Sequence, residues 1–497
     1  MVDGRAGPAD HAESLDTQSA PVSWRDRHLP HLPRLSDAPE PLPVQIERLA
    51  EDGQGIATVD GREVHVRDAV PGDLVTLSAV RKRRKRRRES SIDELHTAGD
   101  DRATPRCAHT TDCGGCRLQH VAYEAQLRFK ECELRNRLEP LFGQDQPEWR
   151  TILGCDNPFE YRNKLEFSFC DQRWLSQQDI DSDATFTRLP AAGFHPQGQF
   201  AKILHLDRCH LMPAVADSLR LQMYDYAIAH ELPFYNVREK HGIMRNLIVR
   251  QTTRGETMAI ASFGEDHPAL AGLLDQLAAT EGVTSVHKVI NPKGNDSIYD
   301  LPLEHTHGEP SILEDLGGSV LCVRPKSFLQ PNSRQARILY DVIAEFAKLE
   351  GHEKVLDLYS GIGSISLMIA RQAGHVHGIE EVPDAVRDAN ENAARNEIEN
   401  ISFATAKVES VLADHTDNVD LVICDPPRAG IHPAAIRAMI QFAAPRIIYV
   451  SCNPKSLARD LQALSLHYRC VRVQPVDMFP HTLHLETVVE LVKRELT

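Results

Sequence analysis

The segment that most constrains the fold is VLDLYSGIGSISL, residues 355–367, in which an apolar run meets two closely spaced glycines and a second apolar run. The first run is typical of a buried strand, and the second continues as a predicted helix. Gly361 and Gly363 lie at the junction, where a Cβ would keep the backbone from approaching a ligand closely. The pattern therefore predicts a strand, a ligand-binding turn and a helix.

Beyond Pro331, predicted helices and strands alternate along the rest of the chain. The predicted strands lie at 354–358, 375–379, 401–404, 419–424, 446–450, 470–476 and 486–492, and the predicted helices at 333–348, 364–372, 383–395, 432–443 and 455–464. Such alternation indicates a parallel, doubly wound α/β sheet of Rossmann-like type. We assign residues 326–497 to this C-terminal domain.

The N-terminal part divides into a tail and a small domain. Residues 1–40 are rich in Pro, Ser, Asp and His, without periodicity, and predict a disordered tail. Residues 41–100 contain short β-branched runs separated by turn signals, which predict an OB-like β-barrel of about five strands. This stretch resembles a TRAM domain, the RNA-binding barrel attached to several RNA-modifying enzymes.

A block of eight consecutive cations, RKRRKRRR at 81–88, follows the last strands of this predicted barrel. The chain as a whole is acidic, with 56 Lys and Arg against 71 Asp and Glu. A solvated loop is one interpretation of such a block. Its position on a small barrel favours contact with nucleic acid.

Residues 101–325 are interpreted as a central α+β domain with antiparallel strands, which include 161–169 and 243–252. No run approaches the roughly 18 apolar residues that a membrane-spanning helix needs. The N-terminus lacks the apolar stretch of a secretory signal. We therefore expect a cytoplasmic monomer that does not contact membranes, and its eleven cysteines are not expected to form disulfides.

Three side chains are predicted to share one edge of the C-terminal sheet. Glu380 ends the strand after the glycine loop, 19 residues beyond Gly361, where an acid can bind a ribose diol. Because the loop lacks the third glycine of a dinucleotide fingerprint, S-adenosylmethionine fits it better than a dinucleotide. Asp425 in DPPR and Cys452 in SCNP both follow predicted strands, so both are expected at the carboxyl edge near this loop.

Chemical roles follow from these positions. The reactive form of Cys452 is the thiolate, and crevice cations or a helix N-terminus would lower its pKa. Glu486 opens the last strand, where burial would raise its pKa and suit it to act as a general base. His481 and His484 nearby are equally compatible with surface positions. Arg428 occupies the position that is aromatic in amino-group methyltransferases, and therefore disfavours N-methylation.

Together, CxxxxxCGGC, YRNKLEF, SFLQPN, DPPRAG, SCNP and DMFPHTxHLE resemble the RNA uridine-5-methyltransferase family, within it the bacterial branch that modifies 23S ribosomal RNA. The resemblance implies that Cys452 adds to C6 of the target uracil, that S-adenosylmethionine methylates C5, and that Glu486 removes the C5 proton. Cofactor-binding residues are expected at Gln330, Tyr359, Gly361, Gly363, Ser364, Glu380, Lys407 and Asp425. Ser360 and Ser364, and Lys407 with Val408, depart from the family pattern.

The spacing of Cys107, Cys113 and Cys116 indicates a metal site, for which zinc is one interpretation. The resemblance instead implies a four-iron, four-sulfur cluster with Cys209 as the fourth ligand. Two alternative functions remain open. One is the same chemistry on tRNA, and the other is a non-catalytic RNA-binding iron–sulfur scaffold, which would be expected to lack Cys452 or Glu486.

Overall fold

A computed structural model of the chain describes residues 43–82, 87–176, 180, 189–414 and 418–495. The tail predicted over 1–40 lies outside the described residues, as do residues 83–86 of the basic block. In the described part of the chain, no helix has the length and apolar character needed to cross a membrane.

The region before residue 98 is rich in strands. These are β1 (Val44–Gln45), β2 (Arg48–Leu49), β3 (Gly55–Val59), β4 (Arg62–Arg67), β5 (Leu74–Leu77), β6 (Arg81–Lys82) and β7 (Arg88–Thr97). They form a sheet in the order β1-β5-β7-β4-β3-β2, with β6 paired to β7. The strands are more numerous than the five or so predicted, because β1, β2 and β6 are additional strands of two residues each.

The central region mixes helices with a mostly antiparallel sheet, as predicted. Its elements are α1 (Tyr123–Phe142), β8 (Glu148–Trp149), β9 (Lys164–Cys170), β10 (Ala191–Phe194), β11 (Leu204–His205), α2 (Val215–Ala229), β12 (Met244–Gln251), β13 (Thr257–Phe263), α3 (Leu270–Ala278), β14 (Val283–Ile290), β15 (Glu304–Gly308), β16 (Ile312–Asp315) and β17 (Val320–Val323). The sheet order is β11-β10-β9-β12-β13-β14-β15, and β13 and β14 pair in parallel across the α3 connection.

The C-terminal region is a wound α/β sheet. Its elements are α4 (Ser333–Ala347), β18 (Lys354–Leu358), α5 (Ser364–Ala370), β19 (His375–Glu380), α6 (Pro383–Arg395), β20 (Ile401–Thr405), α7 (Val408–Asp414), β21 (Leu421–Cys424), α8 (Pro433–Phe442), β22 (Arg446–Ser451), α9 (Pro454–Leu464), β23 (Tyr468–Val476) and β24 (Glu486–Lys493). The strand order is β20-β19-β18-β21-β22-β24-β23-β8.

This arrangement confirms the predicted alternation and adds two features. The short helix α7 was not predicted, and β24 runs antiparallel to both β22 and β23, so the sheet is not wholly parallel. The strand order reverses between β18 and β21, and ligands of open α/β sheets bind at such a switch point. The glycine loop follows β18, and Asp425 follows β21.

Apolar side chains cover both faces of this sheet, as a wound sheet requires. Val355 and Ile448 point into one core, whereas the neighbouring Leu356 and Tyr449 point into the other. The second core also contains residues from outside the predicted C-terminal domain, because Leu134 of α1 packs there and β8 pairs with β23. Helical periodicity identifies the apolar face of α1 but not the element that covers it.

Candidate active site

The glycine loop leaves β18 in a left-handed conformation. Tyr359, Gly361 and Gly363 have φ values of 64°, 54° and 86°. The Gly361 amide donates to Glu380 Oε2 at 3.1 Å, and the Val382 amide donates to Glu380 Oε1 at 2.8 Å. Glu380, the last residue of β19, therefore lies beside the glycine loop, as predicted.

Space around the two glycines differs. A Cβ at Gly361 would meet no atom within 4 Å, whereas one at Gly363 would lie 3.0 Å from Phe403 Cζ. Gly361 thus leaves room for a ligand against the backbone, while Gly363 allows the loop to pack on β20. Ser360 Oγ is buried without a hydrogen-bond partner among the described residues, which leaves a polar group for a bound molecule.

Two further residues that we predicted to bind the cofactor are Ser364 and Lys407. Ser364 begins α5, and its hydroxyl opposes the rise in pKa that burial causes at Tyr340 of α4. Lys407 is exposed after β20, and its carbonyl accepts the amides of Ser410 and Val411 at the start of α7. The structure therefore gives Ser364 and Lys407 local structural contacts.

Asp425 follows β21 and accepts a hydrogen bond from Gln330 Nε2 at 3.2 Å. Burial raises the pKa of Asp425 to about 7, and the hydrogen bond from Gln330 opposes that rise. Gln330 precedes α4, so the contact joins two residues 95 positions apart. Two of the predicted pocket residues therefore meet at the carboxyl edge of the sheet.

Cys452 and Glu486 lie at the same edge, on neighbouring strands. Cys452 directly follows β22, and Glu486 begins β24, in which Thr487 pairs with Ser451. Glu486 is 1% exposed, and its Oε2 has no hydrogen-bond partner among the described residues. Burial, and then the charge of Asp425, raise the pKa of Glu486 well above the usual carboxyl range. A buried carboxyl of this kind is suited to proton transfer.

The electrostatics around Cys452 correct one prediction. Burial, followed by the charges of Glu486 and Asp425, raises the pKa of the Cys452 thiol to about 12, and Arg428 lowers it by less. The expected lowering by nearby cations is therefore wrong for the protein alone, because two carboxyl groups face the sulfur together with one guanidinium. Each of these carboxyl groups, when charged, disfavours the Cys452 thiolate.

The two histidines of the last loop are not surface residues. His481 is buried, and burial lowers its pKa to about 4. The half-buried His484 accepts a hydrogen bond from Arg428 Nη2 at its Nδ1, 2.8 Å away. Burial and then Arg428 lower the pKa of His484 to about 4, so both rings are neutral near pH 7.

Two buried side chains of the site were not predicted. Asp357, inside β18, accepts a hydrogen bond from the Ser366 hydroxyl, and burial raises its pKa to about 7. Burial raises the pKa of Tyr340, and the charges of Asp425, Asp357 and Glu486 raise it further. The sequence did carry a signal for Asp357, because an acid inside the apolar run VLDL is unusual for a buried strand. It carried none for Tyr340, whose spacing along α4 is that of an ordinary core residue.

Three of the four cysteines of the predicted metal site lie at the central core, and Gln119 connects the fourth, Cys107, to Cys116. Cys209 is buried there, and Cys113 and Cys116 pack against the same apolar cluster. Gln119 Nε2 donates to Cys116 Sγ at 3.2 Å, and Gln119 Oε1 accepts the Cys107 amide at 3.2 Å. Among the described residues, however, no three His, Cys, Asp or Glu side chains are grouped closely enough to hold a metal ion.

Comparison with known proteins gives three consistent matches. Residues 321–494 match the family model described as tRNA (uracil-5-)-methyltransferase. A protein of Bacteroides thetaiotaomicron described as an uncharacterized RNA methyltransferase is 40% identical over 90% of this chain and 100% of its own length. A Porphyromonas gingivalis protein with the same description is 41% identical over 90% of this chain and 99% of its own.

A solved structure shares the fold over the same span. The crystal structure of Pyrococcus abyssi tRNA (uracil-54, C5)-methyltransferase in complex with S-adenosyl-L-homocysteine superposes with a TM-score of 0.71 and 26% identity. The match covers 91% of this chain and 100% of that one. The similarity therefore includes the strand-rich N-terminal region as well as the C-terminal sheet.

Proposed function

The chain belongs to the RNA uracil-5-methyltransferase family, and we propose that it methylates C5 of a uridine in RNA with S-adenosylmethionine as methyl donor. The observation that carries the proposal is the convergence of Cys452, Glu486 and Asp425 at one edge of the sheet. A thiol and an unpartnered buried carboxyl on adjacent strands supply the nucleophile and base that this reaction needs.

The chemistry begins with addition of the Cys452 thiolate to C6 of the uracil, which moves the C5=C6 electrons onto C5 and O4. C5 is a poor nucleophile until this addition has taken place. S-adenosylmethionine supplies the methyl group when it is bound. Glu486 then takes the C5 proton, the C5=C6 double bond forms again, and the C6–S bond breaks to release Cys452 as a thiolate. The products are 5-methyluridine, S-adenosylhomocysteine and a proton.

Several residues around the glycine loop fit the methyl donor. Gly361 leaves open space beside the backbone, and Glu380 lies at the end of the next strand, where it suits a ribose diol. Ser360 has an unused polar atom. We assign cofactor binding to Gln330, Tyr359, Gly361, Gly363, Glu380 and Asp425. We also propose cofactor contacts for Ser364 and Lys407, whose observed contacts are structural.

The RNA that we propose as substrate is 23S ribosomal RNA. The motif set supports this choice, and the basic block at 81–88 supports contact with an RNA backbone. The same chemistry on tRNA is the second candidate, favoured by the similarity to the Pyrococcus abyssi tRNA enzyme. These substrates differ in the RNA that presents the uridine, not in the reaction.

Mapping of 5-methyluridine tests both choices. RNA from a strain that lacks this protein is expected to lose the modification at one position of 23S rRNA, and the wild-type gene is expected to restore it. Loss from tRNA alone would support the second candidate. Unchanged 5-methyluridine in both RNA classes would contradict the proposed activity.

We further assign Cys107, Cys113, Cys116 and Cys209 to a 4Fe–4S cluster. Four cysteines beside an apolar core, with amide hydrogen bonds to two of the sulfurs, form a donor set that suits iron–sulfur ligation. The thiolate sulfurs of these four cysteines would hold the cluster. When bound, such a cluster would join the 107–116 segment to Cys209.

Metal content after anaerobic purification checks this assignment. The protein is expected to be brown and to contain about four iron atoms per chain, the content of one cubane cluster. Cys116→Ser should lose most of the iron, whereas Cys132→Ser, at an exposed position of α1, should retain it. Stoichiometric zinc in place of iron would contradict the cluster and favour a zinc site.

A further inference from the structure

The loop that precedes Glu486 is fixed by hydrogen bonds from other parts of the chain along about half its length. This loop, residues 477–485, connects β23 to β24, and its ends meet because Val476 pairs with Glu486 in the sheet. Glu486 directly follows this loop, so the backbone that carries its carboxyl is continuous with the loop and paired with Val476 across it.

The carbonyl groups of five consecutive loop residues each accept a hydrogen bond from a distant part of the chain. The donors are Cys155 Sγ to Asp477 (3.2 Å), Asn332 Nδ2 to Met478 (3.2 Å), Lys130 Nζ to Phe479 (3.1 Å), Tyr161 Oη to Pro480 (3.1 Å) and the amides of Arg117 and Leu118 to His481 (2.7 and 3.0 Å). Four of these five carbonyl groups are thus held by residues of the central region, and the Met478 carbonyl is held by Asn332.

A buried ion pair stands at the start of the loop. Lys130 of α1 is 3% exposed and Asp477 is fully buried, and Lys130 Nζ lies 2.7 Å from Asp477 Oδ1. The Tyr123 hydroxyl donates to Asp477 Oδ2 at 2.9 Å, and the Phe479 amide donates to Oδ1 at 3.2 Å. Lys130 therefore holds both the side chain of Asp477 and the backbone two residues later.

The other fixed point is His481, which has a φ of 65°. A non-glycine residue keeps this conformation only where its surroundings determine it. The His481 amide donates to Gln126 Oε1 at 2.9 Å, while Gln126 Nε2 lies 3.2 Å from His481 Nδ1. Gln126 and Lys130 are one helical turn apart on α1, so one face of this helix contacts both ends of the segment 477–481.

We propose that Lys130 is a positioning residue for Glu486, which acts by fixing residues 477–481 so that the carboxyl faces C5 of the methylated uracil. The inference rests on the proposed function. Lys130 does not touch the reacting atoms, and it affects the one step in which the C5 proton passes to Glu486 and the C6–S bond breaks. Thiolate addition and methyl transfer precede that step and do not require Glu486.

Lys130→Met tests this role through the covalent intermediate. Misplacing a catalytic group by about 1 Å costs about 100-fold in rate, so turnover should fall by about that factor. A denaturing gel should meanwhile show a protein–RNA band that carries the methyl label from S-adenosylmethionine. A merely structural defect would lower turnover and adduct together.

The matched control is Arg245→Met. Arg245 is also a buried cation that holds loop carbonyl groups, those of Asn291, Lys293 and Asn295, but it has no observed hydrogen bond to residues 477–485. This variant should accumulate no adduct. Because Lys130→Met leaves Asp477 without its cation, Tyr123→Phe provides a milder test: it removes one hydrogen bond to Asp477 and keeps the ion pair.

Three results decide the inference. Labelled adduct in Lys130→Met or Tyr123→Phe, with none in Arg245→Met, supports it. Wild-type turnover in folded Tyr123→Phe, together with no adduct in Lys130→Met, overturns it while the proposed function stands. If Glu486→Gln itself forms no adduct while Cys452→Ala remains active, the proposed function fails and this inference falls with it.

Discussion

Replacement of Cys452 by alanine is expected to lower methyl transfer at least about 10⁴-fold, because removal of the attacking group of a covalent mechanism leaves only binding and positioning effects. The sulfur lies at the end of β22, on the opposite side of the switch point from the glycine loop. Binding of S-adenosylmethionine should therefore change little. Transfer of a labelled methyl group to RNA and calorimetric titration with the methyl donor measure the two effects separately.

Cys132→Ala is the matched control, since it is the same substitution at an exposed position on α1, and it should retain wild-type activity. Near-normal methyl transfer by the Cys452→Ala protein would contradict the covalent mechanism. Equal loss of methyl transfer and of cofactor binding would instead indicate that the cysteine supports the pocket.

The positions of the site residues along the sheet were predictable, because parallel strands present their carboxyl ends at one edge. Glu380 and Asp425 each follow an apolar run that the structure confirms as β19 or β21. The family resemblance placed Gln330 and Asp425 in one pocket, but the contact between them was not predicted. Neither residue type nor spacing identifies partners that are 95 positions apart.

The pKa of Cys452 could not be predicted from the sequence, because it depends on which charges surround the sulfur. The nearest charged residue along the chain is Lys455, whereas the side chains that dominate in the structure are Glu486, Asp425 and Arg428. The buried position of His481 was missed for a similar reason. Its contacts come from Gln126 and from the Arg117 and Leu118 amides, which no local pattern connects with it.

Asp425 and Glu486 also explain why the Cys452 thiol stays protonated in the free protein. Asp425 raises the pKa of Glu486, and both carboxyl groups disfavour the Cys452 thiolate. A cationic methyl donor beside Asp425 would shift this balance toward ionised groups.

Replacement of Glu486 by glutamine is expected to trap the enzyme on its RNA. The amide has nearly the same shape as the carboxyl but cannot accept the C5 proton, so the C6–S bond to Cys452 persists after methyl transfer. Turnover should fall by about 10²–10⁴-fold, the range for loss of a general base. A gel-stable protein–RNA band that contains the methyl label and requires S-adenosylmethionine measures the trapped state.

Glu490→Gln is the matched control, because it makes the same change four residues later on β24, where the carboxylate pairs with Arg446 and Arg472. It should release its product and accumulate no band. The double variant Cys452→Ala with Glu486→Gln should also form none, because the sulfur is the point of attachment. Rapid turnover by Glu486→Gln without an adduct would show that another group removes the proton, and the unpartnered carboxyl at the start of β24 would then need a different role.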